Sequence, residues 1–357
     1  MARSKVGRVR GWVVWPVLAA CLLLVPVPPW AIESFYSRGV YPWLQNAVTS
    51  ISNLIPVALL DGLIGVALLL TLFRVVRVWG LMRSAGVMPA VWDATRRLLR
   101  VTGVLIVVFL SAWGCNYRRV PLESSTGAPP TPTTAVLVSA VADANALAAR
   151  LRPMLGDDAD ITYPEVAERL HTPMRAAFRA LDRAPWFRDG RPKYSLLTPF
   201  FTWSGVSGML NPFALESIVH PNLLPAERGF VLAHEWAHLA GQADEAEASA
   251  LGWLACMNGA PVLAYSASLY LILEAGGALS GEVRSTAFAG LDDGVRADLR
   301  AIAERMQLQK PQVQRAAFRV YDEYLKANQV EDGTASYGRA LTLILSPPLN
   351  EALRDYK

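Results

Sequence analysis

Three long apolar segments in the first third of the chain constrain its fold more than any other feature of the sequence. They extend over about residues 11–32, 54–78 and 98–113. A helix needs about 17–25 mostly apolar residues to cross a lipid bilayer, and the three segments are of that order. The sequence therefore predicts a membrane anchor over residues 1–120 that contains three transmembrane helices, with the lipid bilayer as its partner.

The distribution of charge predicts an orientation for this anchor. Residues 1–120 contain 13 lysines and arginines but three acids, whereas the rest of the chain contains 21 basic and 27 acidic residues. The basic residues precede the first apolar segment and fill the loop between the second and third, which the positive-inside rule places in the cytoplasm. We therefore expect a multi-pass protein of the cytoplasmic membrane with a cytoplasmic N-terminus and with everything after Cys115 outside. The net charge of +4 follows from this topology and does not indicate a nucleic acid partner.

The remaining residues divide into a linker and a domain. Residues 121–134 (PLESSTGAPPTPTT) have the composition of a linker, and residues 135–357 are numerous enough to bury a substantial core. Helical spacing dominates this domain, while the aromatic, Thr-, Gly- and Pro-rich stretch at 193–220 favours short strands. The predicted fold is mainly α: three N-terminal transmembrane helices, then a predominantly helical extracytoplasmic domain with a small β-sheet.

Two features admit more than one interpretation. Asp61 lies within the second apolar segment, where an unpaired charge is costly. It is either part of an ion or proton relay or, as we prefer, an interfacial residue near the end of its helix. Residues 261–280 are apolar enough for a fourth membrane span, but Glu274 and several other polar residues favour a buried helix.

The segment with recognisable chemistry is FVLAHEWAHLAG, at residues 230–241. His234, Glu235 and His238 form within it the H-E-x-x-H pattern of zinc-dependent hydrolases. Residues i and i+4 share one helix face, so both imidazoles can bind one Zn2+, and Glu235 can then act as general base toward the zinc-bound water. The chain has four histidines, so chance rarely produces this pattern. The alternative is a helix with two structural histidines.

A catalytic zinc needs a third protein ligand as well as an open position for water. Glu245 is the predicted ligand because it begins an E-x-E-A-S run in which Ser249 lies one helical turn further along the same face. This arrangement is similar to the ligand helix of gluzincins. Asp244 and Glu247 have the spacing of a capping box at a helix start, and both stay open as alternative ligands.

Beyond the motif, short segments in a fixed order resemble an uncharacterised bacterial family, the domain-of-unknown-function family 3810. These segments are residues 36–42, 116–118, 212–216, 234–248, 265–266, 321–326 and 336–339. The resemblance implies membrane helices followed by an extracytoplasmic zincin-like domain, and it implies no established activity. Leu239 and Ser249 stand where members of this family are expected to have Gln and Asn.

These features together predict a membrane-anchored, zinc-dependent metallohydrolase that is most simply a peptidase with a peptide or protein substrate. Glu235 is its predicted general base, and Tyr337 is a candidate for stabilising the oxyanion of a tetrahedral intermediate. Residues 209–213 are a candidate edge strand for pairing with an extended substrate. The alternative function is a non-catalytic zinc-containing module that senses or assembles envelope components. The sequence predicts neither the cleavage specificity nor the oligomeric state.

Overall fold

The computed structural model describes residues 6–126, 131–184, 187–328, 338–346, 349–351 and 356. This part of the chain is mainly helical with one small antiparallel sheet, which confirms that part of the predicted fold class. The helices are α1 (Val6–Leu24), α2 (Pro29–Ala31), α3 (Tyr41–Asn53), α4 (Leu59–Ala85), α5 (Val87–Ala112), α6 (Glu123–Thr126), α7 (Thr134–Leu151), α8 (Tyr163–Ala180), α9 (Thr198–Ser204), α10 (Pro225–Leu239), α11 (Glu245–Met257), α12 (Pro261–Ala278), α13 (Gly281–Ala289), α14 (Asp293–Met306), α15 (Pro311–Ala327) and α16 (Arg339–Ile344). A π-helix (Ile32–Val40) joins α2 to α3, and short 3₁₀ turns cover Gly114–Arg118, Arg152–Met154 and Gly156–Asp160.

Two described helices are long and apolar enough to cross a membrane, or three if one bent pair counts as a single span. The two are α4 and Thr134–Met154, and the bent pair joins Gly11–Leu24 to Pro29–Asn53 at 111°. Helix α1 therefore contains most of the first predicted span, and α4 most of the second. Helix α5 contains the third but is not among these helices, and arginines at positions 96, 97 and 100 interrupt its apolar sequence. The orientation in the membrane stays a prediction.

The core of the described protein is built around α10, α11 and α12. Every residue of α11 is buried, and α12 is buried along most of its length where it packs against α7, α10 and α11. The apolar segment at 261–280 thus forms a core helix. Helix α7 also contributes Leu137, Ala144 and Leu147 to this core, although its composition would suit a membrane span.

The N-terminal helices are joined to the core by specific polar contacts. The carboxylate of Glu216 accepts hydrogen bonds from the backbone amides of the first two residues of α4, at 3.0 and 2.9 Å. Asp61, in the first turn of α4, accepts from Ser195 Oγ at 2.5 Å and from the backbone amide of Leu196 at 2.9 Å. Asp61 therefore has protein partners at the start of its helix, and its position relative to a membrane interface stays a prediction.

The start of the predicted linker also contacts the core. Leu122 is fully buried, and its backbone amide donates to Glu247 Oε1 at 2.6 Å. Glu123 forms an ion pair with Arg339 at 2.9 Å. Residues 127–130 of the predicted linker lie outside the described residues. Leu122 and Glu123, at the start of the predicted linker, are accordingly packed against the core.

Candidate metal centre

The histidines of the motif lie on α10, which is shaped by local sequence signals at both ends. Pro225 occupies the first turn, where its missing N–H leaves no intrahelical bond unmade. The helix ends before Gly241, whose φ of 91° is open to glycine but strained for other residues. A short turn then leads to α11, which begins at Glu245. The Asp244 carboxylate caps this helix by accepting from the amides of Ala246 and Glu247.

Close packing of α10 and α11 brings the candidate ligands together. A Cβ atom at Gly252 would lie 2.9 Å from the backbone nitrogen of His234, so only glycine at this position permits the observed approach of the two helices. This approach, and the short turn between the helices, places Glu245 beside the two histidines. The structure thus positions three residues that lie on two different helices as one group.

The three ligand atoms form a nearly equilateral triangle. His234 Nε2 and His238 Nε2 are 3.1 Å apart, and Glu245 Oε2 lies 3.2 Å from the first and 3.3 Å from the second. Four-coordinate Zn2+ binds such atoms at about 2.0–2.2 Å, which requires separations of roughly 3.3 Å between ligands in tetrahedral geometry. Two imidazole nitrogens and one carboxylate oxygen are also a donor set that suits zinc. The residues therefore fit a metal ion of this kind.

Hydrogen bonds from the far side orient each ligand toward the triangle. Nδ1 of His238 lies 2.6 Å from the carbonyl oxygen of Gln242, an acceptor, so Nδ1 carries a proton and Nε2 is the nitrogen that faces the triangle. Nδ1 of His234 lies 3.2 Å from Ser249 Oγ. Glu245 faces the histidines with Oε2, while its other oxygen, Oε1, accepts a hydrogen bond from the hydroxyl of Tyr321 on α15.

The cluster is buried, and its charges influence one another. The side chains of His234, His238 and Glu245 are 16, 8 and 4% exposed. Burial lowers the pKa of His234. Burial alone would raise the pKa of Glu245 and lower that of His238, but attraction between the two reverses both shifts. The three side chains are thus held in contact by electrostatics as well as by packing.

Glu235 lies on the same helix, and its carboxylate is buried. It packs against the backbone of Gly208, where an added Cβ would lie 2.5 Å from Glu235 Oε1. Its Oε2 atom forms no hydrogen bond with any part of the chain that the structure describes. Burial raises the pKa of Glu235 to about 8, and the negative charge of Glu245 acts in the same direction. A buried carboxylate with a free oxygen is suited to exchanging a proton with a bound molecule.

Gly208 begins the small sheet next to this carboxylate. Strand β1 (Gly208–Asn211) pairs antiparallel with β2 (Glu216–Val219), and Ile218 of β2 also forms a parallel bridge with Lys193. Within the described residues, β1 is therefore the outer strand, and its second edge has no paired strand. The predicted edge strand at 209–213 coincides with β1 and the turn that follows it.

The other candidate residues lie outside the triangle. Asp244 caps α11 and pairs with Arg339 at 2.5 Å. The Glu247 carboxylate faces away toward Arg183 at 3.4 Å and the amide of Leu122. Tyr337 lies outside the described residues. Of the three acids considered, Glu245 is the one that the structure brings to the histidines.

Sequence reasoning missed the residues that hold the C-terminal end of α10. Trp113 Nε1 donates to the His238 carbonyl at 2.9 Å, Tyr41 OH to the Leu239 carbonyl at 2.6 Å, and Arg119 Nη1 to the Gly241 carbonyl at 2.8 Å. The last carbonyls of a helix lack intrahelical partners, and here the N-terminal third of the chain supplies them. These donors lie 122–198 positions from their acceptors, so no local pattern could have identified them. Tyr321 likewise lies in one of the segments that resemble the family, residues 321–326, but the sequence predicts no role for it.

The fold and the site define a mainly helical protein with apolar helices and a buried His–His–Glu cluster that could hold a metal ion. The model of a family described as a protein of unknown function (DUF3810) matches residues 36–345, and the chain belongs to this family. Neither a curated protein nor a solved structure matches the chain.

Proposed function

We propose that this protein is a membrane-associated zinc metallohydrolase with a zincin-like domain, and that it hydrolyses peptide bonds. The observation that carries the proposal is the triangle of His234, His238 and Glu245 beside the free carboxylate oxygen of Glu235. A structural zinc site is usually closed by four protein ligands, whereas a catalytic site has three and an open position. Three ligands with an adjacent acid–base group match the catalytic arrangement.

Each residue has a separate role in the proposed reaction. A bound zinc ion supplies Lewis acidity and an activated water at neutral pH. Glu235 would accept a proton from the attacking water at its free Oε2 atom and transfer it to the leaving amine. Ser249 and Gln242 keep the two imidazoles oriented. The open edge of β1 binds an extended peptide through backbone hydrogen bonds.

The test uses the full-length chain in detergent or lipid nanodiscs. Wild-type protein should contain one equivalent of zinc and should cleave members of a degenerate decapeptide library. Glu235→Gln should retain the zinc but lose activity by about 10²–10⁴-fold, which is the usual contribution of a general acid–base group. His234→Ala should lose both, whereas the matched control His171→Ala should retain both, since His171 is exposed and pairs with Asp189.

The outcomes distinguish a peptidase from a non-catalytic zinc-containing module. Retained hydrolysis in Glu235→Gln would refute the assigned general base. Stoichiometric zinc without any cleavage of the library would reject the peptidase and favour the non-catalytic module in envelope sensing or assembly. Absence of zinc from the wild-type protein would reject both.

A further inference from the structure

The segment that joins α1 to α4 has an unusual distribution of polarity. We call residues 29–57 the connecting segment; it contains α2, the π-helix and α3. A helix on the surface of a water-soluble protein directs its apolar face toward the core and its polar face toward water. In α3 this arrangement is largely reversed, because the polar residues Gln45, Thr49 and Ser52 are buried there beside Tyr41 and Pro42.

The inner face of α3 is polar and is satisfied by the protein. Gln45 Nε2 donates to the carbonyl of Arg188 at 2.7 Å, and Thr49 Oγ1 donates to the carbonyl of Leu215 at 2.8 Å. Both side chains are fully buried. One turn further on, Lys193 Nζ donates to Ser52 Oγ at 2.8 Å. The buried stripe at positions 45, 49 and 52 is thus held by hydrogen bonds.

The outer face of the connecting segment is apolar and exposed. Trp43, Ile51 and Leu54 are 70, 64 and 80% exposed, with Ala47 between them on the same stripe. Other large apolar side chains of the segment are also exposed: Trp30, Phe35, Val40 and Val57. No charged residue occurs between Arg38 and Asp61. Exposure of so many large apolar side chains to water is unfavourable. Apolar patches of this kind mark sites of interaction with a protein, a ligand or a membrane.

The position of the segment in the chain indicates what covers this face. It follows the apolar helix α1 directly and precedes α4, a helix long and apolar enough to cross a membrane. Its axis turns by 111° from that of α1. If α1 runs across a bilayer, the connecting segment therefore runs roughly parallel to the bilayer surface. Both neighbouring helices also have exposed large apolar side chains, such as Val14 on α1 and Leu68 on α4.

We propose that the connecting segment binds the lipid bilayer by lying along its surface, with the apolar face inserted at the boundary between headgroups and acyl chains. Interfacial helices bury such a face by about 5–10 Å, and Trp side chains favour this depth. The polar inner face stays on the protein, so the segment forms a support between the bilayer and the core. Tyr41 on this segment donates to the carbonyl of Leu239 at the end of α10, which places the metal-binding helix one layer away from the lipid.

The experiment measures the collision of spin labels with oxygen and with a water-soluble nickel chelate. Labels are attached to Trp43→Cys and Ile51→Cys in a chain lacking Cys21 and Cys115, while the fully buried Cys256 is retained. The protein is reconstituted in vesicles of phosphatidylethanolamine and phosphatidylglycerol. Ala297→Cys, exposed on the charge-rich helix α14, is the matched control in water. Unchanged circular dichroism of each variant establishes that it is folded.

We expect both labels on α3 to collide more often with oxygen, and less often with the nickel chelate, than the control label at position 297. Both labels should also report the same depth. If the segment instead crossed the bilayer, the spacing of eight positions between the two labels would separate their depths by about 12 Å at 1.5 Å per residue. Nickel accessibility equal to that at position 297 would overturn the proposal, as would protection from both reagents, which would indicate a second protein copy on this face.

Discussion

The contact between Tyr321 and Glu245 allows a quantitative test of the metal centre. Tyr321 lies on α15 and donates its hydroxyl proton to Glu245 Oε1, while Oε2 of the same carboxylate faces the two histidines. Tyr321→Phe removes this hydrogen bond and retains the ring. Because Glu245 is 4% exposed, water cannot readily replace the lost donor.

Two independent considerations define the expected magnitude. Loss of a partner that orients a metal ligand typically weakens metal affinity by 10–100-fold. A hydrogen bond to a charged group contributes about 1.5–3 kcal/mol, which corresponds to a similar factor at about 1.4 kcal/mol for each tenfold change. We therefore expect the dissociation constant for zinc to rise by about 10–100-fold in Tyr321→Phe.

Competition with a chromophoric chelator measures this constant for the full-length chain in detergent. Tyr324→Phe is the matched control because it also removes a hydroxyl from α15. The Tyr324 hydroxyl accepts from Tyr117 OH at 3.4 Å rather than binding Glu245. The control should bind zinc as the wild-type protein does. A change of less than about threefold in Tyr321→Phe, or an equal change in both variants, would refute the assigned role of Tyr321.

Three further predictions concern the contacts that support the site. Trp113→Phe removes the indole donor to the His238 carbonyl, which keeps its hydrogen bond from the Gly241 amide at 2.9 Å, and should destabilise the protein by about 0.5–1.5 kcal/mol; an unchanged thermal midpoint would contradict this. Lys193→Met leaves Glu216 as an unpaired buried charge and should cost about 3–5 kcal/mol in chemical denaturation, whereas Lys193→Met combined with Glu216→Gln should recover much of that loss. Burial alone would raise the pKa of Glu216, but hydrogen bonds from Lys193 and other donors lower it below its ordinary value of 4.5. The corresponding stability is present above pH 4.5 and is lost as the pH falls through the folded-state pKa, so thermal unfolding below that pH should be less pH-dependent in Glu216→Gln.

Local signals explain why the two helices with the candidate metal ligands were predictable. The H-E-x-x-H spacing places two histidines on one face of any helix, and Asp244 with Glu247 has the spacing of a helix start, where Asp244 does cap α11. These effects act within one or two turns of backbone. Glu245 was the preferred third acid on the same kind of local argument, and the structure brings its carboxylate to the histidines.

The support of the site involves residues that no local pattern connects. Tyr41, Trp113 and Arg119 reach the end of α10 from a region that the sequence assigned to a membrane anchor. Arg119 also forms a buried ion pair with Glu33 at 2.8 Å. Such contacts depend on how distant helices pack. A buried donor can bind any carbonyl that still lacks a hydrogen bond and that the fold brings within reach.

The sequence alone predicted a mainly helical chain with apolar helices near its N-terminus, and it identified the residue types that could bind a metal ion. Which acid joins the histidines, and which face of α3 points outward, depends on how the helices pack together. Periodicity shows that α3 has a polar and an apolar stripe, but it is equally compatible with either stripe facing the core. Packing resolves this choice, since the buried stripe is the one whose polar groups find partners on Arg188, Leu215 and Lys193.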